Sequence, residues 1–159
     1  MTAALVDDHV TIALVMGPYS YRGDLGRLGT EPETSLEPLR ARVVRIDAGT
    51  EQEALEALHV PCEALVFDPG SAEFFSKRVA DAVKRRGIPV IVVRDQQEHQ
   101  VSSVGMTRLV TPAAAASVAG GGSAAYECAV EAAAWFAWEA RRETHEGDVV
   151  PSRRIAEPD

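Results

Sequence analysis

Ala64-Leu65-Val66-Phe67-Asp68-Pro69-Gly70, the run from Ser71 to Gly87, and then Ile88-Pro89-Val90-Ile91-Val92-Val93 decide the fold. Two apolar runs rich in β-branched residues flank a helical pattern, as expected of parallel strands covered on both faces. Within the intervening run Ser71 is an N-cap candidate, and Phe75, Val79 and Val83 recur at helical spacing. Lys84-Arg85-Arg86 suit the negative end of the helix dipole, and Gly87 ends the helix. Working outward, Val10 to Met16 and Val43 to Ile46 read as further strands and Ala115 to Ala119 as a weaker one. Glu51 to Leu58 reads as a short helix and Ser123 to about Arg142 as a long one.

Alternating strands and helices imply βαβ units and a doubly wound α/β sheet with right-handed crossovers. Ligands of such folds sit at the carboxyl ends of the strands, where the strand order reverses. The segments to search are therefore Gly17 to Thr34, Asp68 to Phe74 and Arg94 to Thr111. The first crossover is unusual, because Glu31 to Pro38 leaves room for only a turn or two of helix and Pro38 limits it. Residues 1–142 are expected to form one domain. Residues 143–159, with two prolines and little periodicity, are expected to form an extended tail.

Acidic side chains outnumber basic ones by 24 to 16, a net charge of −8, and no long Lys/Arg cluster occurs. Non-specific nucleic-acid affinity depends on neutralising phosphates, so neither nucleic acid nor an anionic membrane is an expected partner. Met1 to Asp8 carries acid where a signal peptide carries positive charge. The most apolar stretch, Thr111 to Ala137, is interrupted by Gly120-Gly121-Gly122, Glu127 and Glu131, which argue against a membrane span. Cys62 and Cys128 lie far apart, with no CxxC and no histidine at ligand spacing, so no disulfide or metal is indicated and a reducing cytoplasm is the expected setting. Gly120-Gly121-Gly122-Ser123 precedes a helix and offers N–H groups to an anion, but without a full GxGxxG it makes no dinucleotide site.

The chain resembles the type II 3-dehydroquinate dehydratases. The matching text is Met16-Gly17-Pro18, then Leu25-Gly26-Arg27-Leu28-Gly29-Thr30-Glu31-Pro32 after an insertion, then Ala64 to Gly70 and Ile88 to Val93. Thr111-Pro112 and Gly120-x-Gly122-x-x-x-Tyr126 complete it. The resemblance implies a flavodoxin-like, three-layered, five-stranded parallel sheet, assembly as trimers or a dodecamer, and a dehydration that needs no metal or cofactor. In that family a lid Tyr kept basic by an Arg removes a proton beside a ketone, the enolate is stabilised, and a His protonates the departing hydroxyl.

The family's functional positions are mostly replaced. Its second loop Asn falls at Tyr19, its lid Tyr at about Ser35, its Asn after the third strand at Asp68, and its substrate-binding His at Phe74. The general-acid His falls at Arg94, the carboxylate two before it at Val92, and the two following arginines at Val101 and Gly105. No lid Arg stands near Thr30-Glu31, and only His99 matches a family histidine, one that is not the acid.

The replacements are themselves polar. Asp68 is the candidate acid/base and Arg94 the candidate for an anionic or carbonyl oxygen. Tyr21 and Arg22 would restore a Tyr/Arg pair in the insertion, and His99 is a further catalytic candidate. Tyr19, Asp24, Asp95 and Phe74 are substrate-binding candidates. Asp68 and Arg94 have a second reading as an ion pair closing an abandoned site, and the insertion tyrosines and His99 have one as plain loop residues.

Two functions stay open. One is a lyase, dehydratase or cyclase acting on a small oxygen-rich molecule of specialised, natural-product metabolism. The other is a non-catalytic oligomeric binding or scaffold protein. Retained dehydroquinate dehydration is the third.

Overall fold

The structure, a computed structural model, describes residues 8–17, 25–29, 31–70, 77–95, 116–120 and 122–147. Strands β1 (Val10–Met16), β2 (Glu33–Leu36), β3 (Ala41–Asp47), β4 (Ala64–Asp68), β5 (Val90–Asp95) and β6 (Ala116–Gly120) accompany helices α1 (Glu51–Ala57), α2 (Lys77–Arg85) and α3 (Ser123–Gly147). The strands form one six-stranded sheet in the order β2-β3-β1-β4-β5-β6. Five of them run parallel, and their order β3-β1-β4-β5-β6 is the flavodoxin-like doubly wound arrangement. The two faces carry separate cores, giving three layers. Ile12, Leu14, Met16, Val66 and Val93 face α3, whereas Val15, Phe67 and Val92 face α1 and α2. Alternation of side chains along each strand enforces this division.

The sixth strand departs from the five expected. Residues 31–38 were expected to form a turn or two of helix, but Glu33–Leu36 pairs antiparallel with β3, and Glu37–Leu39 then makes a 3-10 turn containing Pro38. The residues explain it. Thr34 and Leu36 are partly buried while Glu33 and Ser35 are exposed, a period of two that suits an edge strand with one covered face. Leu36 and Leu39 pack on the α3-side core where a crossover helix would lie. The long helix also exceeds its expected end, so residues 143–147, assigned to the tail, are helical. Residues 148–159 and Ser71 lie outside the described residues.

Helix α1 is short and starts on an N-cap at Thr50. Thr50 Oγ accepts from Glu53 N–H at 3.1 Å, and Glu53 Oε2 accepts from Gly49 N–H at 2.6 Å. At the amino end of the sheet, Glu63 Oε2 accepts from both Thr11 N–H at 2.9 Å and Arg141 Nη2 at 2.8 Å. Arg141 also donates to the His9 carbonyl at 2.8 Å, and both it and Arg40 lie over the Trp138 ring. These contacts tie α3 to β1 and β4 far from their carboxyl ends.

At the carboxyl edge the exits of β1 and β4 are joined by Gly17 N–H donating to the Asp68 carbonyl at 2.8 Å. The approach is so close that a Cβ on Gly17 would stand 2.3 Å from the Pro69 carbonyl oxygen. Both partners are backbone, so neither can swing aside. Gly17→Ala is therefore expected to destabilise the protein by about 1–3 kcal/mol, measured as a lower urea midpoint with an unchanged denaturant slope.

Candidate functional site

The chain leaves β1 for β3 on one side and enters β4 on the other, so the strand order reverses at the β1/β4 exits. Asp68 closes β4 at this point, paired in register with Met16. Among the described residues it is the one buried charged side chain, at 2% exposure. A buried carboxylate requires hydrogen-bond donors. Oδ1 accepts from Gly70 N–H at 2.9 Å in a local turn, and Oδ2 accepts from the Tyr126 hydroxyl. Tyr126 lies in the first turn of α3, which starts directly after Gly122, a glycine at φ +70°. It is itself buried, so the polar pair sits inside an otherwise apolar helix–sheet contact.

Arg94 is placed differently. In the β4/β5 register Phe67 opposes Val92, and both face α1 and α2. Alternation then puts Asp68 on the α3 face and Arg94, two residues after Val92, on the opposite one. Arg94 is exposed. The structure brings both to the carboxyl edge but not to one face of the sheet. Asp95 ends β5 with its backbone in register with Gly120. Tyr19, Tyr21, Arg22, Asp24, Phe74 and His99 lie outside the described residues.

Beside Tyr126 stands an arrangement that the residue pattern did not reveal. Gly26–Leu28 forms a 3-10 turn whose flanking Leu25 and whose Leu28 are buried in the α3-side core. Arg27 N–H donates to Glu127 Oε1 at 3.2 Å, its Nε to Glu127 Oε2 at 3.3 Å, and its Nη2 to Glu131 Oε1 at 2.6 Å. Glu131 first and Glu127 second hold the guanidinium charged, moving its pKa above the ordinary arginine value. Thr34 Oγ closes the turn from β2 by donating to the Leu28 carbonyl at 3.0 Å. The available signal was Glu127 and Glu131, four apart on one helix face. The signal for Tyr126 was a phenol among alanines and valines on the buried face of the same helix. Among the described residues there is no group of three or more His, Cys, Asp and Glu side chains placed to hold a metal. No helix among them is long and apolar enough to cross a membrane.

Sheet order and layering together define a flavodoxin-like α/β protein. The model of the family "Dehydroquinase class II" matches residues 22–134, and the chain belongs to that family, whose chemistry is that of dehydratase-type lyases. Solved structures agree on the fold. A type II dehydroquinase from Butyrivibrio crossotus is 19% identical, with a TM-score of 0.56 over 77% of this chain and 96% of its own. A protein described as an adenylate cyclase, from Rhodopirellula baltica, is 12% identical, with a TM-score of 0.56 over 89% of this chain and 99% of its own. Two such differently described proteins on one fold mean that the site, not the sheet, must carry the functional argument.

Because Arg27 and Glu131 are exposed and Glu127 partly so, their attraction is open to screening by salt. Arg27→Ala is expected to raise amide hydrogen exchange over residues 25–29 while β1 and β4 keep their protection. Salt at about 1 M, where the Debye length is about 3 Å, should produce a weaker version of the same change in the unsubstituted protein.

Proposed function

We propose that this chain is a divergent, cofactor-independent member of the dehydroquinase family. In this reading it is a dehydratase or cyclase acting by acid/base chemistry on a small oxygen-rich molecule of specialised metabolism. The observation that carries the reading is the Asp68 carboxylate, held by a phenol and a backbone N–H at the β4 exit. The resembling family has a neutral Asn at that position. An ionisable group, with a donor on each oxygen, thus stands where strand reversal puts ligands.

In this reading Asp68 takes or returns the proton beside the substrate carbonyl. The electron pair left on carbon moves into the enolate and then forms the new carbon–carbon double bond as the β C–O bond breaks, the hydroxyl taking a proton and leaving as water. Arg94, from the other face of the same edge, binds an anionic or carbonyl oxygen. Tyr21 and Arg22 replace the family's lid pair, His99 supplies a second acid/base group, and Tyr19, Asp24, Asp95 and Phe74 line the substrate. Self-association as trimers or a dodecamer and a cytoplasmic location belong to the same proposal.

The burial of Asp68, with both oxygens engaged, favours a second reading. There the pair is a structural plug in a non-catalytic binding or scaffold subunit.

Incubation with 3-dehydroquinate and with a panel of β-hydroxy ketones, followed by absorbance of the conjugated product, separates the readings. Turnover of a panel member but not of 3-dehydroquinate is expected, and Asp68→Asn and Arg94→Ala should each lower kcat/KM by about a hundredfold. Full turnover in both variants removes the assigned site, and no turnover of any compound favours the scaffold.

A further inference from the structure

We propose that Tyr126 is the positioning residue of this site, fixing the Asp68 carboxylate from α3 so that the acid/base group is presented in one orientation. The inference rests on the functional reading above and adds a residue to it. Tyr126 reaches Asp68 across 58 positions of sequence. A phenol that is 1% exposed needs an acceptor, and a carboxylate that is 2% exposed needs donors, so each satisfies the other. With Gly70 N–H on Oδ1 and the phenol on Oδ2, the two oxygens have different, fixed donors. Rotating the carboxylate about its Cβ–Cγ bond breaks both bonds at once.

The flanking strands offer no substitute on this face. Met16, the register partner on β1, and Val93, which follows Phe67's partner Val92 on β5, are apolar core residues. Glu127, next along α3, is turned to Arg27 instead. Ala125 and Ala129, small and buried beside Tyr126, let the helix approach closely enough for the phenol to reach the strand end.

The test uses the full chain labelled with ¹³C at aspartate Cγ, the Asp68 signal being assigned by its loss in Asp68→Asn. Tyr126→Phe keeps the ring and removes the donor. Because that donor favours the ionised carboxylate, the Asp68 titration midpoint should rise by about one pH unit in Tyr126→Phe. On the substrate found by the turnover panel, kcat should fall about ten- to a hundredfold with KM little changed. An unchanged Asp68 signal and midpoint would overturn the proposal, as would a shifted midpoint with unchanged kcat. A shifted midpoint in a protein that turns over nothing upholds the Tyr126 control of Asp68 and sinks the lyase reading instead. Should Tyr126→Phe not fold, the Tyr126 Cζ resonance in Asp68→Ala, which removes the acceptor, reads the same bond from the other side. No movement there is equally fatal.

Discussion

A carboxylate buried between a sheet and a helix is stable only while its donors hold, and at the β4 exit those donors include the Tyr126 hydroxyl and the Gly70 N–H. Much of the carboxyl edge depends on this arrangement. It sets how near the first turn of α3 comes to β4 and the direction in which the chain turns after Asp68. Gly17 adds the lateral limit, since its backbone donates to the carbonyl of the same aspartate and leaves no room for a side chain against Pro69. One residue thus joins β1, β4 and α3, through its carbonyl on one side and its carboxylate on the other.

The opposite edge of the sheet is held by different means. Glu63, Arg141, Arg40 and Trp138 bring charge, stacking and a Trp138 Nε1–H bond to the Leu39 carbonyl together at the amino ends of the strands. That cluster anchors the far end of α3 and the turn that stands in for a crossover helix. Anchoring α3 at both ends leaves its first turn little freedom, and the carboxyl edge can therefore hold a buried polar pair without repacking. The Arg27 clasp extends the same helix as a platform, on its more exposed side, for the segment that follows the insertion.

The sheet was legible because fully covered parallel strands need continuous apolar runs. Val10 to Met16, Ala64 to Phe67 and the run ending at Val93 are such runs, and their alternation with helices sets the doubly wound order. β2 was not legible as a strand. Four residues with two polar outward positions, followed by Pro38, carry little local preference, and the partner that makes them a strand is β3. Asp68 was legible as a candidate because it ends an apolar run at the strand exit. Its partner was hidden, since Tyr126 fits the apolar periodicity of α3 as well as its neighbours do, and only the fold brings it to a strand end 58 positions away. The opposite facing of Asp68 and Arg94 follows from strand register, which no residue pattern within one strand determines.

Replacement of a neutral amide by a carboxylate is a small change in shape and a large one in physics. An amide carries both a donor and an acceptor and tolerates burial with either satisfied, whereas an ionised carboxylate only accepts and must be met by donors on each oxygen. In this chain the local turn supplies a donor at Gly70 to one oxygen, and α3 supplies the Tyr126 hydroxyl to the other. With donors on both oxygens, the Asp68 carboxyl group can sit 2% exposed at the strand-reversal point while the surrounding apolar packing is kept.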